Sequence, residues 1–204
     1  MFRISSDGAP HVHDNPNVYF FINPKGHTEV KSGGFMAKDW QIKKRRPVRR
    51  KHIAPLLKDL EVALGIDLSV DGAFLEMADY GPWKMVLVDR IPLAVELENQ
   101  DGVRVVFLTL RGFLSYPCEK RFVEIDHGAI PFLMKGADCM VAGVHDADES
   151  IQEGDLVWVR DQQHKRPIAI GWAMMDGTSL VSQAKGKGLK NIHWVGDELW
   201  EMEL

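Results

Sequence analysis

The sequence predicts an α+β fold, in which a small mixed N-terminal domain precedes a barrel-like domain of short strands. One amphipathic helical pattern is followed by strand-like runs, and the last ~80 residues alternate many short strands with short helices. Of the 204 residues, 45% are hydrophobic and 26% are charged. This ordinary globular composition excludes a disordered chain, a coiled coil and a collagen-like repeat.

We expect three parts along the chain. Residues 1–35 read as a loose extension, punctuated by glycine and proline, in which only Val18–Ile22 has a strand pattern. Residues 36–122 read as the N-terminal α+β domain with a basic segment at its start, and residues 123–204 as the second domain. An alternative is that the natural protein begins at Met36, immediately before the basic segment.

The clearest helical pattern covers residues 53–64, where apolar residues recur at intervals of three and four with charged residues between them. Pro55 is expected in the first turn, where its missing N–H costs nothing. Gly65 is expected to end the helix as a C-cap. We therefore predict one helix of three to four turns.

Short elements are predicted on both sides of residue 120. Turn signals separate predicted strands at residues 73–78, 85–88, 93–97, 103–108, 123–126, 139–141, 156–160 and 167–175. Short helices are predicted at residues 109–115, 128–135 and 176–184. The chain is expected to end in a hairpin of residues 192–195 and 199–202, with Trp194 and Trp200 packed across it.

The charge is distributed unevenly. Residues 36–52 hold eight Lys or Arg and one Asp, a net charge of +7, whereas residues 53–204 carry a net charge of −11. Such a run attracts phosphate, although a solvated charged face explains it equally well. Phosphate contacts of this kind would position a nucleic acid without reading its bases. The candidate contacts are Lys43, Lys44, Arg45, Arg46, Arg49, Arg50 and Lys51.

Two stretches resemble a known family. Residues 126–138, Asp-His-Gly-Ala-Ile-Pro-Phe-Leu-Met-Lys-Gly-Ala-Asp, resemble the opening of a PUA domain. Residues 186–202, Gly-Lys-Gly-Leu-Lys-Asn-Ile-His-Trp-Val-Gly-Asp-Glu-Leu-Trp-Glu-Met, resemble the C-terminus of the malignant-T-cell-amplified-sequence family and of ligatin. These are translation factors with archaeal relatives of the same two-domain plan. The resemblance spans residues 40–204 and implies a C-terminal PUA pseudo-barrel at residues 123–204.

The resemblance also implies a function. It implies a non-catalytic, cytoplasmic RNA-binding protein that acts in translation, contacts tRNA or the rRNA of the small ribosomal subunit, and pairs with a protein partner of the density-regulated type. The RNA-facing surface of such a domain is built from its first helix and the strands beside it. This points to Lys135, Gly136, Ala137 and residues 200–202. Lys135 beside the helix dipole and Gly136 as a left-handed cap are alternative, structural explanations.

The sequence also contains a second basic patch that could bind phosphate, and it leaves two alternative functions open. Glycines separate the lysines of this patch, which are Lys185, Lys187 and Lys190. One alternative function is an accessory RNA-binding subunit of a tRNA or rRNA modification enzyme of the pseudouridine or archaeosine type. The other is a small enzyme with an unrecognised pocket.

The sequence contains no catalytic constellation that we can identify. It has no Walker-type phosphate loop, and Cys118 and Cys139 lack the spacing of a zinc site. We expect no catalytic residue, no metal ion and no cofactor. Two lone cysteines and the absence of a ~20-residue apolar run favour a soluble protein of a reducing compartment that does not contact membranes.

Overall fold

The computed structural model describes residues 40–202 and, before them, the backbone of two strands. The chain divides into two compact units, Met1–Trp40 and Gln41–Leu204. In the first unit, β1 (Val18–Ile22) pairs antiparallel with β2 (Thr28–Ser32). The strand predicted at Val18–Ile22 is therefore present, β2 was not predicted, and the other residues of the predicted loose extension lie outside the described residues.

The second unit begins with an antiparallel sheet whose strands follow one another in chain order. Its strands are β3 (Ile42–Pro47), β4 (Leu75–Tyr80), β5 (Trp83–Val88), β6 (Ile91–Glu98) and β7 (Arg104–Leu108). Helix α1 (Arg50–Leu64) connects β3 to β4, and the short helix α2 (Leu110–Ser115) follows β7. Buried leucines of α1 supply part of the core, as the apolar spacing predicted.

The predicted start of α1 is wrong by three residues. The helix begins at Arg50, so that Lys51 and His52 form its first turn and Pro55 lies beyond that turn. First-turn N–H groups need no partner within the helix, and Arg and Lys are good helix formers, so the basic residues extend it. The predicted C-cap is confirmed, because Gly65 has φ +67° and its N–H donates to the carbonyl of Glu61 (2.8 Å).

Strand β3 is an element that the sequence analysis did not predict. It lies at the edge of its sheet, where almost every residue is exposed, so no apolar alternation reveals it. Its pairing with β4 shifts by one residue between Lys43 and Arg46, and Lys44 within this bulge has φ +50°. Charged residues on an exposed edge also discourage pairing with another chain.

The remaining strands form a second, mixed sheet. In chain order they are β8 (Phe122–Ile125), β9 (Cys139–Met140), β10 (Val144–Ala147), β11 (Leu156–Asp161), β12 (Pro167–Ala173) and β13 (Lys187–Trp194). Their order across the sheet is β10-β8-β11-β12-β13-β9, with β8 and β11 parallel and the other pairs antiparallel. Helix α3 (Ile130–Leu133) and helix α4 (Gly177–Ser182) connect strands. The predicted α+β class is confirmed, although β10 was missed.

The predicted C-terminal hairpin is wrong. Beyond β13 the chain makes turns instead of a second strand. The Asp197 carboxylate organises these turns by accepting hydrogen bonds from the backbone N–H of Trp194 (3.0 Å) and of Trp200 (2.8 Å) and from Nδ1 of His193 (2.7 Å). These side-chain hydrogen bonds hold the backbone in turns, where a hairpin would have backbone hydrogen bonds between two strands. Trp194 and Trp200 therefore do not form a cross-strand pair.

Helix α2 joins the two sheets. Its Phe113 ring stacks on Trp158 of β11 with centroids 4.9 Å apart. Its first N–H, on Leu110, donates to Nε2 of His193 in β13 (3.4 Å). Arg111 donates to the carbonyl of Trp200. These contacts hold the two sheets together within the unit Gln41–Leu204.

A buried ionic cluster stabilises the parallel pair β8–β11. The carboxylate of Glu124, which is 4% exposed, accepts hydrogen bonds from Nε of Arg160 (3.0 Å) and from Lys165. Burial raises the pKa of Glu124, but the hydrogen bonds from Lys165 and Arg160 outweigh it, and the net pKa lies below the ordinary value of 4.5. Arg160 also lies over the Phe122 ring, 3.8 Å from its centroid.

Glu124→Gln should therefore destabilise the protein by about 3 kcal/mol at neutral pH, because it removes the charge of the buried carboxylate that the buried Arg160 and the half-exposed Lys165 share. The lowered pKa means that the unfolded state takes up the proton first as the pH falls below 4.5. The difference in unfolding free energy between wild type and E124Q should thus shrink from pH 6 to pH 3, as measured by urea denaturation. Glu119→Gln is the matched control, since the Glu119 carboxylate pairs with the same Arg160 (2.6 Å) but its side chain is 79% exposed, so its loss should cost clearly less. A difference that is constant with pH would contradict the assignment.

Candidate nucleic-acid interface

The turn after α3 holds three of the residues that the sequence pointed to. Lys135 and Ala137 are exposed, while Gly136 between them is buried. Gly136 has φ +79°, and a Cβ atom there would lie 2.8 Å from the Trp194 ring. Only glycine combines this left-handed backbone with the close packing of the ring. Gly136 therefore shapes the turn that presents its two neighbours.

Two residues that sequence reasoning missed fix this turn to β13. The buried amide of Asn191 donates to the carbonyls of Leu133 and Ala137, both at 3.1 Å. The Asp138 carboxylate accepts the backbone N–H of Asn191 (2.9 Å) and pairs with Nζ of Lys187 (2.6 Å). Asn is depleted in strand interiors, so its position in the interior of a strand was the available signal.

Exposed apolar side chains and one exposed lysine, Lys135, lie along the segment from α3 to β9. Phe132 is 65% exposed, Met134 42% and Met140 51%. The register of β13 and β9 places Lys187 opposite Met140. We call this surface the α3 face, and its members are Phe132, Met134, Lys135, Ala137, Met140 and Lys187.

The other predicted lysines lie beside the α3 face. Lys185 precedes β13, and Lys190 within it is opposite the half-buried Trp172 of β12. Within residues 40–202, Lys135, Lys185 and Lys190 form no ion pair, whereas Lys187 pairs with Asp138. Three cations in this neighbourhood are thus available to a ligand. Residues 200–202 lie in the terminal turns instead of a strand.

The basic segment divides into paired and unpaired residues. Arg45 makes a bidentate contact with the buried Glu76 (2.9 and 2.7 Å), which lowers the pKa of that carboxyl. Lys44 pairs with Asp79 (2.9 Å), and Arg50 pairs with Asp71. In the described part of the chain, the candidates without an ion pair are Lys43, Arg46, Arg49 and Lys51.

No described group of three His, Cys, Asp or Glu residues could hold a metal ion. Both cysteines are buried, and burial raises the pKa of the Cys139 thiol to about 12. Burial also raises the pKa of Cys118. A thiol with a raised pKa stays protonated at neutral pH and is a poor nucleophile. Among residues 40–202 there is also no helix long and apolar enough to cross a membrane.

Comparison with known proteins places the chain in a family. The model of the PUA domain matches residues 121–195. An uncharacterized protein of Methanocaldococcus jannaschii is 37% identical over 165 residues, which cover 80% of this chain and 99% of that protein. The chain belongs to the PUA-domain proteins. The PUA domain inferred from residues 126–138 and 186–202 is thereby confirmed.

Relatives with translation-related names match over a shorter length. Translation machinery-associated protein 20 of Schizosaccharomyces pombe is 33% identical over 94 residues, which cover 43% of this chain and 52% of that protein. Human malignant T-cell-amplified sequence 2 is 29% identical over 98 residues, 47% of this chain and 54% of that protein. The matches thus span about half the length of these eukaryotic relatives, and they confirm the resemblance to that family.

Solved structures show the same two-sheet architecture. A hypothetical protein from Pyrococcus horikoshii superimposes with a TM-score of 0.63 at 28% identity, covering 77% of this chain and 98% of that one. A PUA domain from Aeropyrum pernix gives the same TM-score at 27% identity and covers 79% of this chain. The likeness extends beyond the residues that match the PUA model, because both structures cover more than three quarters of the chain.

Gly136→Ala should destabilise the PUA domain by about 2–4 kcal/mol, because it combines left-handed strain with a clash against Trp194. Gly154→Ala is the matched control, since Gly154 has φ +85° but open space around its Cβ position. Gly154→Ala should lower the free energy of unfolding only by the cost of the left-handed backbone strain, about 1–2 kcal/mol. Thermal and urea denaturation measure both. Equal losses would show that Trp194 does not require the glycine.

Proposed function

We propose that this protein is a non-catalytic RNA-binding protein that acts in translation, where it contacts tRNA, the small ribosomal subunit or both. The observation that carries the proposal is the α3 face, an exposed surface of a PUA domain in which Phe132 and two methionines stand beside lysines. Relatives named translation machinery-associated protein 20 support the setting in translation.

The α3 face has the chemistry that an unpaired RNA strand requires. The exposed ring of Phe132 offers a stacking surface for a base, and the methionines beside it extend the apolar contact. Lys135, Lys185 and Lys190, which form no ion pair within the described residues, supply positive charge for the adjoining phosphates, and Lys187, which pairs with Asp138, lies among them. The hydrogen bonds from Asn191 hold the turn before any ligand arrives, which reduces the ordering cost of binding.

The acidic remainder of the chain supports a restricted contact. Residues 53–204 carry a net charge of −11, which repels a polyanion from most of the surface. RNA is then bound only where lysines and arginines cluster. A cytoplasmic location and a protein partner of the density-regulated type belong to the same proposal and rest on the family resemblance.

Phe132→Ala should weaken the binding of a labelled, unfractionated tRNA about 5- to 150-fold, because one base–aromatic stack contributes about 1–3 kcal/mol. Phe74→Ala is the matched control, since Phe74 is also a phenylalanine with a largely exposed side chain, at 49%, but lies outside the α3 face. Fluorescence polarisation at fixed salt measures both variants and the wild type. Equal affinities for F132A and F74A would remove the α3 face from the binding site.

Sedimentation through a sucrose gradient tests whether the protein associates with the small ribosomal subunit. The full chain added to a cell extract should migrate with small ribosomal subunits, and the F132A variant should remain nearer the top. An accessory subunit of a modification enzyme would instead migrate with a smaller complex at the size of that enzyme. That second result would replace the translation role with the alternative function.

A further inference from the structure

A basic hollow lies on the N-terminal sheet, away from the PUA domain's own strands. It has a volume of about 680 Å³ and opens between the end of β3 and the first turn of α1. Its lining residues are Arg46, Pro47, Val48, Arg49, His52 and Met77. A smaller hollow of about 80 Å³ adjoins it, because Arg46 and Met77 line both. The lining of the large hollow includes no acidic residue.

The bulge in β3 decides which arginine is free to reach a ligand. The extra residue at Lys44 places Arg46 opposite Met77, so that both side chains lie on one face of the sheet. Arg45, its neighbour, is held by the buried Glu76. Within the described residues Arg46 has no ion pair, and neither has Arg49. Two guanidinium groups without carboxylate partners therefore border the same hollow.

The first turn of α1 concentrates positive charge beside the hollow. Its N-cap, Arg49, provides no side-chain hydrogen bond, and the turn contains no acidic residue. Cations at this end of a helix are repelled by the helix dipole and by the N–H groups that lack partners. Of the basic residues there, only Arg50 has an acidic partner in the described part of the chain, Asp71. A bound anion would relieve this repulsion.

We propose that this hollow binds backbone phosphates of RNA and forms a contact separate from the α3 face. Arginine suits the role because its planar fork can make paired hydrogen bonds with phosphate oxygens. The half-buried Met77 and the ring of Pro47 give the hollow an apolar wall against which a ribose can lie. The inference rests on the proposed RNA-binding function and adds the second surface.

The test compares charge-matched double variants of the full chain. R46Q/R49Q should weaken tRNA binding at least tenfold and reduce the slope of log affinity against log salt by about 1.4 to 1.8, the value for two lost phosphate contacts. K43Q/K51Q removes the same charge from the basic segment outside the hollow and should cost clearly less. K58Q/R166Q removes two exposed cations from neither surface and should bind within twofold of wild type.

The outcomes separate this inference from the proposed function. Equal losses of tRNA affinity in R46Q/R49Q and K43Q/K51Q would show diffuse electrostatic attraction along the basic segment and would overturn the assignment of a phosphate site to the hollow. Wild-type affinity in R46Q/R49Q together with weakened binding in F132A would overturn the hollow alone. A wild-type chain that binds no tRNA would overturn both. If R46Q/R49Q loses affinity for polyglutamate and not for tRNA, the hollow receives an acidic protein and the inference is wrong.

Discussion

The structure depends on β13, a strand whose side chains connect three separate parts of the molecule. A bulge lies between Asn191 and His193, because these two residues pair with the adjacent residues Gly171 and Ile170 of β12, so their side chains project to opposite sides of the strand. Asn191 holds the turn after α3, and His193 contacts the start of α2 and the Asp197 carboxylate. Trp194, next in the chain, packs on Gly136. The α3 face and the junction of the two sheets thus share one support.

This arrangement links the shape of the binding surface to the stability of the fold. Both polar side chains are almost fully buried, and leaving buried hydrogen-bonding groups unpaired costs about 1–3 kcal/mol each. The surface residues themselves, such as Phe132 and Lys135, contribute little to the core. Substitutions on the α3 face therefore test binding, whereas substitutions of β13 residues test the scaffold.

The charged residues also divide into those that stabilise the fold and those that are available to a ligand. The exposed Arg45 and the buried Arg160 each pair with a buried glutamate next to a strand pair, Arg45 with Glu76 and Arg160 with Glu124. Some exposed cations without ion pairs in the described residues, such as Lys135 and Arg46, lie at the two surfaces proposed for RNA, whereas Lys58 and Arg166 lie at neither. Because the remainder of the chain is acidic, the proposed RNA binding depends on where the unpaired cations lie and not on the total charge.

The sequence predicted the fold class, α1 with its Gly65 cap and most strands, because their apolar spacing reflects one buried face. It did not predict β3, since an exposed edge strand has no apolar periodicity. The prediction of a terminal hairpin was wrong because hydrogen bonds to a single carboxylate, that of Asp197, hold the chain in turns. Hydrophobic periodicity cannot predict a contact of this kind. Lys135 was found through the family resemblance, and Lys185, Lys187 and Lys190 were found as a basic patch among glycines. Phe132 was not singled out, because only its exposure in the structure distinguishes it from an ordinary helix residue.

Ultraviolet cross-linking of the full chain to tRNA, with the linked peptides identified by mass spectrometry, tests the central claim most directly. The account predicts cross-links in two places, one between Phe132 and Met140 and one between Arg46 and His52. Cross-links spread along the acidic surface, or absent from the Phe132–Met140 stretch, would contradict it.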